Sequence, residues 1–111
     1  MDSKRLSKIS RLIQKELGEH FQRNARSFGG AIIAVTVVRV TPDLAQCRAY
    51  LSIFPPHLVQ ASFEAISEQT PLIRHALAQS TRHQLRRTPE LEFFIDDSLD
   101  YAENIDRLLL P

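Results

Sequence analysis

The apolar positions change period along this 111-residue chain, and each change marks a new element. Leu6, Ile9, Ile13, Leu17 and Phe21 recur every three to four residues, the stripe of an amphipathic helix, with Asp2 or Ser3 placed to cap it. Arg23 to Gly30 breaks the period and reads as a linker, in which Gly29-Gly30 offers backbone angles other residues avoid. Ala31 to Val40 is then rich in β-branched residues, which suit a pleated, largely buried strand. Thr41-Pro42-Asp43-Leu44 follows. Proline presets φ and Asp bonds its own backbone, so the chain reverses here. In the second strand, Ala45 to Ile53, the odd positions (Ala45, Cys47, Ala49, Leu51, Ile53) are apolar and the even ones (Gln46, Arg48, Tyr50, Ser52) are polar or amphipathic. A period of two buries one face and leaves the other wet, with Arg48 and Tyr50 on the wet side.

Pro55-Pro56 closes that strand. Leu58 to Gln69 reads as a short helix with Val59, Phe63 and Ile66 inward. Pro71 breaks it and, being tolerated in a first helical turn, starts another with Leu72, Ile73, Ala76 and Leu77 inward. The other face of that helix carries His75, Gln79, Arg82 and Arg86, until Thr88-Pro89 ends it. Leu91, Phe93 and Ile95 alternate with Glu90, Glu92, Phe94 and Asp96 as a third half-buried strand. Asp97 or Ser98 then caps a short last helix with Ala102, Ile105, Leu108 and Leu109 inward. Helix, strand, strand, helix, helix, strand and small helix make an α+β domain with its helices on one face of a three-stranded sheet.

Charge changes this picture more than composition does. The formal net charge is +1, but residues 1–26 carry seven Lys/Arg against three acids, residues 74–88 four Arg and no acid, and residues 89–111 seven acids and one Arg. Potentials act locally, so two basic segments and an acidic end matter more than their sum. On the first helix Lys4, Lys8, Arg11 and Lys15 form a second stripe at the same three-to-four spacing, nearly all positive. The length suits one domain, residues 1–111. No apolar run approaches the roughly 20 residues of a membrane helix, and no apolar segment backs Met1-Asp2-Ser3-Lys4-Arg5 as a signal peptide would require. A single cysteine, Cys47, fits a reducing cytoplasm and reads as a core residue.

The candidate chemistry is phosphate contact. Arg74, Arg82, Arg86 and Arg87 lead, because the guanidinium fork matches phosphate, although cations also favour a helix C-terminus. Arg5, Lys8, Arg11 and Lys15 follow on the same grounds, against the plainer reading of a solvated helix face. Arg39 and Arg48 either meet RNA across the open sheet or pair with Glu90 or Glu92 on a neighbouring strand. Tyr50 and Phe94 either stack on a base or pack on their neighbours. His75 and His83 lack a Cys or carboxylate companion for a metal, and Glu92, Asp96 and Asp97 are accounted for by solubility and capping. Three glycines leave no phosphate loop, and no nucleophile–base constellation stands out. The chain reads as neither an enzyme nor a cofactor binder.

Three segments in order resemble ribosome-binding factor A, a bacterial small-subunit maturation factor family. They are Val35 to Ser52, with Asp43-Leu44 and Tyr50-Leu51-Ser52; Leu72-Ile73-Arg74; and Pro89-Glu90-Leu91-Glu92-Phe93-Phe94-Ile95-Asp96-Asp97-Ser98. The resemblance implies a KH-like fold of type II topology, α-β-β-α-α-β. It also implies association with the free, immature small ribosomal subunit and its rRNA, support of late 16S rRNA processing near the 5′ end, and neither catalysis nor cofactor. The protein is expected to act as a monomer. The acidic end, Asp96 to Asp106, allows ribosomal proteins or assembly GTPases as further partners, and an adapter recruiting another assembly factor is the alternative reading. The family's Ala-x-Gly kink between its second and third helices is replaced here by Gln69-Thr70-Pro71. Without glycine there, the backbone clamp of a true KH loop has no counterpart, so basic side chains must make any RNA contact.

Overall fold

A computed structural model of the chain describes residues 3–96. Helix α1 spans Ser3–Arg23 and leads through a short 3-10 turn, Ala25–Phe28, to strand β1, Ile32–Val40. Strand β2, Gln46–Phe54, is followed by a 3-10 turn at Pro56–Leu58, helix α2 (Val59–Glu68), helix α3 (Thr70–Thr81) and strand β3 (Glu90–Ile95). This is the expected α-β-β-α-α-β order. The small helix expected after Asp97, including its role as an acidic end, lies outside the described residues.

The sheet order is β1-β2-β3, antiparallel between β1 and β2 and parallel between β2 and β3. The turn that reverses the chain is held by its own side chains. Thr41 Oγ1 donates to Asp43 Oδ1 at 2.8 Å, which also accepts from the Ala45 N–H at 3.1 Å, and the Gln46 N–H reaches Thr41 Oγ1 at 3.0 Å. Leu44 sits there at φ 58°, a left-handed angle that costs a non-glycine residue about 1–2 kcal/mol. Gly29 and Gly30 take φ 82° and 79°, so the linker uses both glycines as the sequence suggested.

Strand β1 departs from the expected buried run. Its register with β2 shifts between Val35 and Val37, leaving Thr36 as a bulge. Ile33 and Val35 point inward before the bulge and Val38 after it, while Ile32, Ala34, Val37 and Arg39 face out. The reason is architectural: helices cover one face only, and the other stays open. Thr36 Oγ1 donates to Asp96 Oδ2, which ties the bulge to the end of β3.

Beneath the covered face, Ile13, Leu17 and Phe21 of α1 pack on Val35, Cys47, Ala49, Leu51, Ile66, Ile73 and Phe93 in one core. Phe21 meets Phe28 and Phe93 edge-on, at centroid distances of 5.3 and 5.9 Å. Cys47 is wholly buried, as expected, and burial pushes its thiol up to about 12. Phe28 is a buried anchor inside what reads as a linker. Ser62, also fully buried, donates from Oγ to the Phe28 carbonyl at 2.7 Å and fastens α2 to that turn.

Helix α3 differs from expectation at both ends. It begins at Thr70, one residue before Pro71, with only Gln69 between it and α2. Leu72, expected inward, is 67% exposed. The helix stops at Thr81, so Arg82 and Arg86 do not continue a stripe on it as far as Thr88. Thr81 is buried and donates from Oγ1 to the Leu77 carbonyl at 2.7 Å, and the turn that follows tucks Leu85 into the core. Burial of Leu85 takes precedence over helical continuation, and the arginines fall on an irregular segment.

Candidate nucleic-acid interface

The open sheet face is built in rows by the strand register. One row aligns Val37, Tyr50 and Phe94; the next aligns Arg39, Arg48 and Glu92. Tyr50 and Phe94 stack on each other at 5.2 Å and 24°, so these aromatics pack on their neighbours. Arg39 and Arg48 stand directly opposite, an arrangement that like charges disfavour unless an anion meets them. Neither forms an ion pair among the described residues.

Around the β1–β2 turn the fold unites two basic segments lying some eighty positions apart in the sequence. Arg5 from the first turn of α1 and Arg86 and Arg87 from the segment before β3 line one cleft of about 530 Å³, with Leu6, Ile9, Pro42, Asp43 and Leu44. The half-buried Leu6 and Ile9 are the outer end of the apolar stripe of α1, which runs past the edge of the core into this cleft. Asp43 is the one acid in the lining. Its carboxyl lies below the usual range because the Thr41 hydroxyl and then the Ala45 N–H bond to it, with Arg87 a smaller contributor. A second, shallower groove of about 370 Å³ shares Leu6 and adds Arg11 and Arg39. Basic side chains thus run from Arg86 and Arg87 past Arg5 to Arg11, Arg39 and Arg48.

The remaining candidates lie apart from this track. Lys8 and Lys15 are exposed on α1 and line neither groove, and Arg82, exposed at the end of α3, donates from Nε to His83 Nε2 at 3.3 Å. Arg74 is the candidate whose guanidinium is engaged by backbone carbonyls. Its Nε donates to the Pro89 carbonyl at 3.0 Å and its Nη2 to the Thr88 carbonyl at 2.6 Å, with Glu90 Oε1 3.6 Å away. It fastens α3 to the segment that carries Arg86 and Arg87. Glu90, by sequence a partner for Arg39 or Arg48, pairs with Arg74 instead. The cleft residues Leu6, Ile9, Pro42, Asp43 and Leu44 were not anticipated as site residues.

Between α2 and α3 the backbone forms no loop. The Gln69 N–H bonds the Ala65 carbonyl at 3.0 Å, and the Ile73 N–H bonds the Gln69 carbonyl at 2.9 Å. The junction therefore lacks the glycine-containing backbone loop with which a KH domain clamps nucleotides. Among the described residues no three metal-ligating side chains gather, and no helix is long and apolar enough to cross a membrane.

A family model described as Ribosome-binding factor A matches residues 5–109. The chain belongs to the ribosome-binding factor A family. Among its relatives, ribosome-binding factor A of Flavobacterium johnsoniae is 47% identical over 111 residues, covering 98% of this chain and 85% of that protein. That of Christiangramia forsetii is 43% identical over 108 residues, covering 96% and 82%. Among solved structures, the crystal structure of Thermus thermophilus ribosome-binding factor A superposes with a TM-score of 0.65 at 25% identity, covering 81% of this chain and 94% of that one. A homology model of the Thermus thermophilus factor, as fitted into a cryo-electron-microscopy map of a 30S complex, gives 0.62 at 26% identity, covering 78% and 89%. The fold is accordingly the KH-like one that the family shares.

Proposed function

We propose that this protein is a non-catalytic assembly factor, a single KH-like RNA-binding domain over residues 1–111 that works in the cytoplasm. It binds the free, immature small ribosomal subunit as a monomer and supports late maturation of 16S rRNA near its 5′ end. The observation that carries the reading is the basic track from Arg86, Arg87 and Arg5 through Arg11 to Arg39 and Arg48, on a domain whose family includes a member placed in a 30S complex. With no clamp between α2 and α3, affinity comes from guanidinium and ammonium groups meeting phosphates, Lys8, Lys15 and Arg82 adding to the field around the track. Arg74 contributes indirectly, by holding the segment that presents Arg86 and Arg87.

The test is co-sedimentation of the purified protein with ribosomal particles through a density gradient at two salt concentrations. Co-migration with free small subunits and not with assembled ribosomes, weakening as salt rises, is the expected result. Association with no particle at either salt removes the reading. Capture of ribosomal proteins or a GTPase after nuclease treatment, with no RNA-dependent binding, favours the adapter instead.

A further inference from the structure

The cleft at the β1–β2 turn has a composition that phosphate contact alone does not require. Its lining includes three guanidinium groups, those of Arg5, Arg86 and Arg87, and four apolar side chains, those of Leu6, Ile9, Pro42 and Leu44. Leu44 is 8% exposed and held at φ 58°, so the hydrogen-bonded turn keeps a bulky side chain in the lining of the cleft in a conformation that leucine disfavours. Asp43 bonds within its own turn. Arg5 and Arg86 form no ion pair among the described residues. At about 530 Å³ the space is of the size that takes a small ligand.

A bare phosphate has no use for aliphatic lining, and an apolar ligand has no use for three guanidinium groups. A nucleotide has a flat face for the first and a phosphate for the second. Unpaired RNA splays its bases into such pockets, and arginine planes stack on them as readily as they bind phosphate. The groove of Arg11 and Arg39 continues from the same cleft through Leu6 and offers the flanking backbone a path.

We propose that this cleft holds one splayed nucleotide of single-stranded RNA, its base against Leu6, Ile9 and Leu44 and its adjoining phosphates on Arg5, Arg86 and Arg87. The inference rests on the rRNA reading above and narrows it: the factor recognises an unpaired position and not only a charged surface. Duplex RNA, whose bases are stacked and paired, meets the arginines but leaves the aliphatic side chains without a base against them.

The test is methyl and arginine Nε NMR of the full chain titrated with adenosine 5′-monophosphate, ribose 5-phosphate and a short single-stranded oligoribonucleotide. The monophosphate and the oligoribonucleotide are expected to shift the Leu6, Ile9 and Leu44 methyls saturably, whereas ribose 5-phosphate moves only arginine signals. An Arg86→Gln/Arg87→Gln variant, changed only at exposed side chains, is expected to weaken oligoribonucleotide binding by about tenfold while its other methyl signals stay in place. Equal methyl shifts with ribose 5-phosphate overturn the proposal in favour of an anion site. An acidic peptide that moves the same methyls at lower concentration than the oligoribonucleotide overturns it in favour of a protein ligand. Oligoribonucleotide binding that shifts Arg39 and Arg48 but not the cleft methyls overturns it while leaving the rRNA reading intact. No binding of the oligoribonucleotide, together with no co-sedimentation, removes both.

Discussion

Replacing Arg74 separates an arginine that builds the fold from arginines that meet a ligand. In Arg74→Ala, the Thr88 and Pro89 carbonyls lose donors at 2.6 and 3.0 Å, and Pro89 is itself fully buried. Hydrogen bonds from a charged donor contribute about 1.5–3 kcal/mol each. The Arg74 side chain is 39% exposed, so water replaces part of what is lost, and the lower end of the range applies to the pair together: about 2 kcal/mol. The ion pair to Glu90, whose side chain is 73% exposed, adds little. For a domain of this size about 2 kcal/mol lowers the melting midpoint by roughly 8 °C. With a urea dependence of about 2 kcal/mol per molar, the denaturation midpoint falls by about 1 M. Equilibrium urea unfolding reads this directly. Arg74→Lys should recover little, because an ammonium cannot span both carbonyls as the planar fork does. The salt dependence of subunit binding, measured where the variant is still folded, should stay close to that of the parent. An unchanged urea midpoint combined with a clearly shallower salt dependence would refute the assignment and return Arg74 to the RNA contacts.

Three further outcomes follow from named contacts. Ser62→Ala leaves the Phe28 carbonyl without its buried donor and should cost about 1–3 kcal/mol in thermal or urea unfolding, with subunit binding of the folded protein unchanged. His20 has its pKa lowered below 6.5, chiefly by burial and then by Arg23, so the unfolded chain binds more protons between the folded value and 6.5. Stability should therefore fall as pH drops below 6.5 through that window, and urea titrations across pH should show this component disappearing in His20→Gln. Arg39→Gln removes one of two like charges that face each other across β1 and β2, so its melting midpoint should hold or rise while the salt dependence of RNA binding becomes shallower.

The fold was legible where local chemistry and packing agree. Thr41-Pro42-Asp43 announces a turn, and Asp43 bonds the Ala45 N–H as that chemistry requires. The alternation of β2 survives intact because the strand has one covered and one open face. The bulge at Thr36 was hidden because a run of β-branched residues looks alike in either phase. The end of α3 was hidden because His75, Gln79, Arg82 and Arg86 keep helical spacing, while the cause of the break, the burial of Leu85 and Thr81, lies in tertiary packing. Of the site, the residue types were legible but their company was not. Periodicity puts Arg5 on one helix and Arg86 and Arg87 far away, and only the fold brings them to one cleft. An arginine in a basic stripe and an arginine bonded to two carbonyls read alike in sequence, so the position of Arg74 had no signal to distinguish it.

The measurement that bears most directly on electrostatic rRNA binding through this face is the slope of log affinity against log salt for free small subunits. It compares the parent with an Arg5→Gln/Arg86→Gln/Arg87→Gln variant. Each lost contact to single-stranded phosphate lowers the slope by about 0.7, so the triple variant should be shallower by about 2 while melting like the parent. A parent slope near zero, or a triple variant with the parent's slope, would contradict the account.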